Sequence, residues 1–194
     1  MKILFLDCDG TIRTPLSGET FPQHPRDFQI MTGADRAITY YHYEGWICYG
    51  LSNQGGVPQY KSLAAAIAES RYTLELFPEL QAILIAPADG SDCWKTERDG
   101  KTRKISGKYA AIANYRKPAP GMIEYLLMLH EADPADCWMV GDRAEDEEAA
   151  GNAGINFMNA DIWRQRFTPG IKKIEIDSIA QLEFLEPKAR GLYQ

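Results

Sequence analysis

Cysteine is scarce and scattered in this 194-residue chain: Cys8, Cys48, Cys93 and Cys137, with no close pair. A disulfide framework is thereby excluded, and the four thiols read as small core hydrophobes in a reducing compartment. Histidine is scarcer still, and His24, His42 and His130 show no metal-ligand spacing. No apolar stretch approaches the ~20 residues that a helix needs to cross a bilayer, and the first apolar run is too short for a secretion signal. A cytoplasmic chain with no membrane partner is therefore expected. Positive charge is not in excess either, since the net charge is −6, which argues against a surface built wholly for nucleic acid. The length suits one domain over residues 1–194 that buries its core without staples.

What the chain does have is a concentrated start, Lys2-Ile-Leu-Phe-Leu-Asp-Cys-Asp-Gly-Thr-Ile12. The apolar run Ile3 to Leu6 predicts a strand buried on both faces, and it ends in Asp7 and Asp9 followed by Gly10. In open α/β sheets ligands bind just beyond the carboxyl ends of strands, so these acids fall where such a fold does its chemistry. Gly10 permits a sharp turn and leaves its N–H open to an anion. The same tetrapeptide also suits an ordinary strand-end turn.

Downstream, strands and helices alternate. Residues 13–30 carry Pro15, Gly18, Pro22 and Pro25 without a sustained period and read as an ordered loop near the site. A helix is predicted from Ala34 to Gly45, a strand from Trp46 to Leu51 ending in Ser52-Asn53-Gln54, and then a helix with Pro58 in its first turn. A third strand spans residues 81–86. Asp99-Gly100 between short Thr-containing arms predicts a small basic β-hairpin projecting from the sheet, within an insert at about residues 88–113. Arg116-Lys117-Pro118 precedes a helix, strands at 137–140 and 155–158 flank a short helix from Glu145, and the tail holds a possible strand at 173–176 and a helix from Ser178. This alternation implies an α/β fold: a doubly wound, Rossmann-like parallel sheet with helices on both faces and no large cap.

Four segments together resemble the motifs of the haloacid dehalogenase (HAD) superfamily of phosphohydrolases: Asp7-Cys-Asp-Gly-Thr11, Ser52-Asn53, Lys117-Pro118 and Gly141-Asp142-Arg-Ala-Glu-Asp146. Each falls at a strand end or a helix start. Such a resemblance implies Mg²⁺-dependent hydrolysis of phosphate monoesters through an aspartyl-phosphate. It gives the attack to Asp7 and the acid and then base role to Asp9, whose pKa should be held above that of Asp7. Mg²⁺ would take the Asp7 and Asp142 carboxylates and the Asp9 carbonyl. Ser52, the backbone N–H groups of Gly10 and Asn53, and the Lys117 ammonium would hold the phosphate, with Asp146 orienting Lys117. Taken singly, Ser52 could also be a helix cap, Lys117 a surface lysine and Asp146 an acid complementing a helix dipole.

Asn53-Gln54-Gly55 and Arg116-Lys-Pro-Ala-Pro-Gly-Met122 are similar to the branch holding histidinol-phosphate, heptose-bisphosphate and polynucleotide 3′-phosphatases. The zinc loop of its sugar and histidinol members is missing, because residues 88–116 hold Cys93 alone and no histidine, so no zinc is expected. Residues 95–117 are instead basic, with Lys95, Arg98, Lys101, Arg103, Lys104, Lys108, Arg116 and Lys117 against Glu97 and Asp99. Arg98, Lys101, Arg103, Lys104, Arg116 and Arg143 are thus candidates for selecting a polyanionic substrate. A small phosphorylated metabolite such as a sugar bisphosphate is the first expectation and a nucleic-acid 3′ end the alternative. A phospho-receiver-like or non-catalytic signalling domain is a further alternative, disfavoured by the second carboxylate at Asp9. These features leave the oligomeric state open.

Overall fold

The structure is a computed structural model, and it describes residues 1–105, 112, 114–170, 175–176 and 178–186. Strand β1 (Ile3–Asp7) is the middle of the five parallel strands in a seven-stranded sheet, whose order is β7 (Thr102–Lys104), β6 (Trp94–Glu97), β5 (Leu80–Pro87), β4 (Ile47–Gln54), β1, β8 (Trp138–Gly141), β9 (Asn156–Asn159), while β2 (Arg13–Thr14) and β3 (Gln29–Ile30) form a separate antiparallel pair. Its neighbours β4 and β8 run parallel to it, as do β5 beyond β4 and β9 beyond β8.

The reason for β1's place is its unbroken apolar run. Leu4 and Leu6 face one core, with Ala37, Ile38, Tyr41, Trp163 and Phe184 from helices α1 (Ala34–Tyr43), α5 (Ala160–Arg166) and α6 (Ile179–Leu185). Ile3 and Phe5 face the other, with Met122, Ile123 and Leu126 of α3 (Gly121–His130) and Ala149 and Ala150 of α4 (Ala144–Ala153). A strand apolar at every position can be buried on both sides, so it takes the middle of a doubly covered sheet.

Two expectations are corrected. The helix after β4, α2 (Leu63–Leu76), begins past Pro58, because Ser62 caps it by accepting the Ala65 N–H at 3.1 Å. The hairpin is β6 (Trp94–Glu97) and β7 (Thr102–Lys104), turning at Asp99-Gly100 as expected; instead of projecting, it pairs antiparallel with β5 and extends the sheet. The sheet is therefore mixed, with a parallel centre. Residues 106–111 (Lys108 among them) and 113 of the insert, and half of the possible strand at 173–176, lie outside the described residues. Among the described residues no helix is long and apolar enough to cross a membrane.

Candidate active site

The register places the ends of three parallel strands side by side. Asp7 lies opposite Leu51, just before Ser52, and Leu6 lies opposite Val140, just before Gly141 and Asp142. Gly141 makes the approach possible, since a Cβ there would come within 2.3 Å of the Asp146 Cβ. Gly10 adopts φ +95°, and a Cβ there would stand 2.4 Å from an Asp142 carboxylate oxygen. Residues 7–10 and Asp142 meet only because that position has no side chain.

Lys117 is the centre of charge. It is 4% exposed, and its Nζ lies 2.6 Å from Asp7 Oδ1 and 2.6 Å from Asp146 Oδ1, while donating to the Leu51 carbonyl at 3.2 Å. Burial would drive off its proton, but the two carboxylates outweigh that cost and raise its pKa above the usual lysine range. Asp146 is itself held, its Oδ2 accepting the Arg143 N–H at 3.2 Å at the start of α4. Asn53 staples this loop to β4: its Nδ2 donates to the Lys117 carbonyl and its Oδ1 accepts the Lys117 N–H.

Asp7 is buried, and its Oδ2 has no hydrogen-bond partner among the described residues. Burial pushes its pKa up to about 7, an effect that Lys117 offsets only in part. One ligand oxygen from each of Asp7, Asp142 and Asp146 falls within 4.8 Å of the others. An orphaned buried oxygen within an all-carboxylate cluster suits a hard divalent cation such as Mg²⁺. Thr11 also approaches, its hydroxyl 3.3 Å from Asp142 Oδ1.

Asp9 stands at the mouth, its side chain 42% exposed, and here the expected order of pKa values is reversed. Desolvation raises its pKa, but the Arg13 charge and hydrogen bond and the Ser52 hydroxyl outweigh that and hold it below the ordinary carboxylate value. Without ligands Asp9 is thus the stronger acid and Asp7 the weaker. Two further expectations change. The Gly10 N–H is not open to an anion, because residues 8–13 close a tight turn in which it donates to the Arg13 carbonyl at 3.0 Å. The Ser52 hydroxyl neither caps a helix nor stands free, but donates to Asp9 Oδ2 at 3.1 Å and accepts from Gln54 Nε2 at 2.7 Å.

Among the specificity candidates, Arg116 and Arg143 adjoin Lys117 and Asp142. A buried Arg116 Nη1 has no hydrogen-bond partner among the described residues, and Arg143 is exposed. The hairpin cations lie elsewhere. Glu97 pairs with Ala82 and Trp94 with Ile85, so the hairpin tip points toward the start of β5, and Arg98 donates to the Leu80 carbonyl. Leu80 and Pro87 bound an eight-residue strand, which at ~3.3 Å per residue sets the tip roughly 20 Å from the catalytic end. Lys95 and Arg103 are also paired with Glu97, Lys101 with Asp99 and Lys104 with Asp92. Arg98 and Lys101 at the tip, and Arg103 beside it, therefore do not overhang the site, while Lys104 is level with Ile85 through Trp94 but lies on the outermost strand, four strands from β1. The expectation for these four cations is corrected, and with it goes the feature that suggested a nucleic-acid end.

Two residues joined to the site carry no motif signal. Arg13 reaches Asp9, and Arg164 of α5 donates to the Gly10 and Thr11 carbonyls at 3.0 and 2.7 Å. Only the nearness of Arg13 to Asp9 in the chain hinted at either.

A parallel-centred α/β sheet with paired aspartates after its central strand, and a lysine and more acids at adjacent ends, defines a phosphohydrolase. Comparison with known proteins agrees. Residues 114–159 match the family model described as HAD-hydrolase-like. The chain is 31% identical over 159 residues to D-glycero-beta-D-manno-heptose-1,7-bisphosphate 7-phosphatase of Vibrio cholerae, covering 78% of this chain and 76% of that protein. It is 27% identical to the protein of the same name from Haemophilus ducreyi, over 79% of each chain. Among solved structures, a D,D-heptose 1,7-bisphosphate phosphatase from B. bronchiseptica, complexed with magnesium and phosphate, superposes with a TM-score of 0.59 at 22% identity, covering 81% of this chain and 79% of that one. The chain belongs to the HAD-like hydrolase family and is one of its phosphatases.

Proposed function

We propose that this phosphatase hydrolyses a phosphorylated sugar, a bisphosphate of the heptose class, with Mg²⁺ and through an aspartyl-phosphate on Asp7. The observation that carries the mechanism is Lys117 Nζ at 2.6 Å from Asp7 Oδ1, with Asp7 Oδ2 left unpartnered. A lysine so placed holds one oxygen of the nucleophile and presents positive charge where the phosphoryl oxygens arrive. The substrate class rests on the names of the relatives and on Arg116, whose unpartnered Nη1 beside Lys117 suits a second phosphate; Arg143 is the other candidate.

The Asp7 and Asp142 carboxylates and the Asp9 carbonyl would hold the metal, and Asp146 is committed to Lys117 and the start of α4. When bound, the divalent cation supplies positive charge that favours ionised Asp7 and relieves its repulsion from the phosphate. The Asp7 carboxylate attacks phosphorus as the bond to the sugar oxygen breaks, and Asp9 gives that oxygen its proton. Water then attacks the aspartyl-phosphate, yielding its proton to Asp9 and freeing Asp7 and phosphate. Asp9 must carry a proton at the first step. The incoming phosphate's negative charge raises its pKa, opposing Arg13, and with a cation favouring ionised Asp7 the two acids would move toward the order that these roles need.

All four cysteines are buried free thiols, which accords with work in the cytoplasm. The test is phosphate release from heptose and other sugar bisphosphates, monophosphates and an aryl phosphate, with EDTA and with added Mg²⁺, for wild type and Asp7→Asn. The expected result is Mg²⁺-dependent turnover, best on a bisphosphate and abolished in Asp7→Asn, with no stoichiometric zinc by elemental analysis. Wild-type turnover by Asp7→Asn would overturn the covalent route, and equal rates on mono- and bisphosphates would overturn the substrate class.

A further inference from the structure

Arg13 is 2% exposed, an expensive place for a guanidinium unless its donors are matched. Its Nε donates to Asp9 Oδ1 at 3.0 Å, and its Nη1 donates to the Glu69 carbonyl at 3.2 Å and to the Thr73 hydroxyl. That hydroxyl donates onward to the Glu69 carbonyl at 2.8 Å, so its lone pairs are turned to the arginine. The guanidinium carbon lies 3.9 Å from the centre of the Phe28 ring. The nearest competing carboxylate, that of Glu69, is taken by Lys61 Nζ at 2.7 and 2.8 Å. Asp9 is the one carboxylate to which Arg13 is committed.

Asp9 needs such a partner. With 42% of its side chain exposed, it would otherwise sample several rotamers in water, whereas proton transfer requires its oxygen at one place. Ser52, oriented by Gln54, fixes Oδ2 from β4, and Arg13 fixes Oδ1 from the far side of the turn.

We propose that Arg13 is a positioning residue for Asp9, transmitting the fixed frame of helix α2 and Phe28 to the carboxylate that moves the proton. This rests on the acid–base reading of Asp9 above. Arg13 itself touches no substrate, and its effect runs through Asp9 alone. It should therefore matter for leaving groups that need a proton and little for those that do not.

The experiment compares kcat/KM, which reports steps through phosphoryl transfer to Asp7, for an alkyl phosphate and for 4-nitrophenyl phosphate, whose leaving group departs unprotonated. Asp9→Asn, Arg13→Met, Arg13→Lys and Thr73→Val are assayed with Mg²⁺, each checked for folding by thermal unfolding. Asp9→Asn should lower the alkyl value by ~10²–10⁴-fold and the nitrophenyl value far less. Arg13→Met should show the same selectivity at roughly 10–100-fold, because the loss of a fixed carboxylate outweighs the easier protonation that Asp9 gains without the guanidinium beside it. Arg13→Lys should recover part of it, since a point charge lacks the fork that reaches α2. Thr73→Val, nearly isosteric, should give a few-fold loss of the same sign even if Arg13→Met fails to fold. If Asp9→Asn is selective but the Arg13 and Thr73 variants lose both substrates equally, or neither, the positioning proposal is overturned. If Asp9→Asn is itself unselective, the acid reading of Asp9 falls and the proposal falls with it.

Discussion

The side-chain amide of Asn53 and the main chain of Lys117 hold each other by two hydrogen bonds, Nδ2 to the Lys117 carbonyl at 2.8 Å and the Lys117 N–H to Oδ1 at 3.0 Å. Because these atoms belong to β4 and to the loop before α3, the pair sets where the lysine enters the site. Asn53→Asp keeps the acceptor but turns a carboxylate oxygen toward the Lys117 carbonyl. Stability should fall by roughly 1–3 kcal/mol in urea denaturation, as for a buried group left unsatisfied. Turnover should fall by ~10-fold or more, because Lys117 then approaches Asp7 from a less constrained loop.

Lys117 neutralises two buried acids at once. Lys117→Met should destabilise the metal-free protein by about 3–5 kcal/mol, since Asp7 and Asp146 are left facing each other without a counter-charge. Adding Asp146→Asn should return much of that stability while activity stays lost. A double mutant no more stable than Lys117→Met alone would show that the lysine is held by something other than this pair of charges.

The cations at and beside the hairpin tip, Arg98, Lys101 and Arg103, lie toward the end of the sheet away from the site. Replacing Arg98, Lys101 and Arg103 with Ala should leave KM and kcat for a sugar bisphosphate within about twofold, as expected of solvated pairs on an edge. A rise in KM specific to the bisphosphate would place the tip near the site after all.

Asp27 closes the proline-containing loop that follows β2 (Arg13–Thr14). Its carboxylate accepts the Gln23 N–H at 2.8 Å and the Ser17 N–H and hydroxyl at 2.8 and 2.7 Å, and these bonds, that from Gln23 foremost, hold its pKa below the ordinary 3.8. A carboxylate depressed in the folded state adds stability that is complete above the unfolded pKa and is lost as pH falls through the folded one. Wild type should thus exceed Asp27→Asn in stability by a constant margin near neutrality, and the margin should shrink as pH drops below about 4. Denaturation curves across that range provide the check.

Much of this protein is written locally. The run Ile3 to Leu6 alternates between two cores, so its composition alone made it the central strand, and the acids after it had to emerge at that strand's carboxyl end. Lys117 and Asp142 were legible for the same reason, each standing beside a helix start or strand end marked by proline or glycine. The partners of those residues were not. Arg13 reads as the first residue of a loop, and it became the anchor of Asp9 only because the turn at residues 8–13 folds it back against Glu69 and Thr73, 56 and 60 positions away. Ser52 was placed at the site by its motif, but its partner was not legible: β4 runs on to Gln54 and brings the Ser52 hydroxyl to Asp9. The Asp-Gly turn announced a hairpin, but which way its charged tip pointed depended on pairing with β5, and no local signal encodes a register between strands. The order of the two aspartate pKa values is the clearest case. Burial and the nearest countercharge decide it, and both exist only once distant segments have packed around the end of β1.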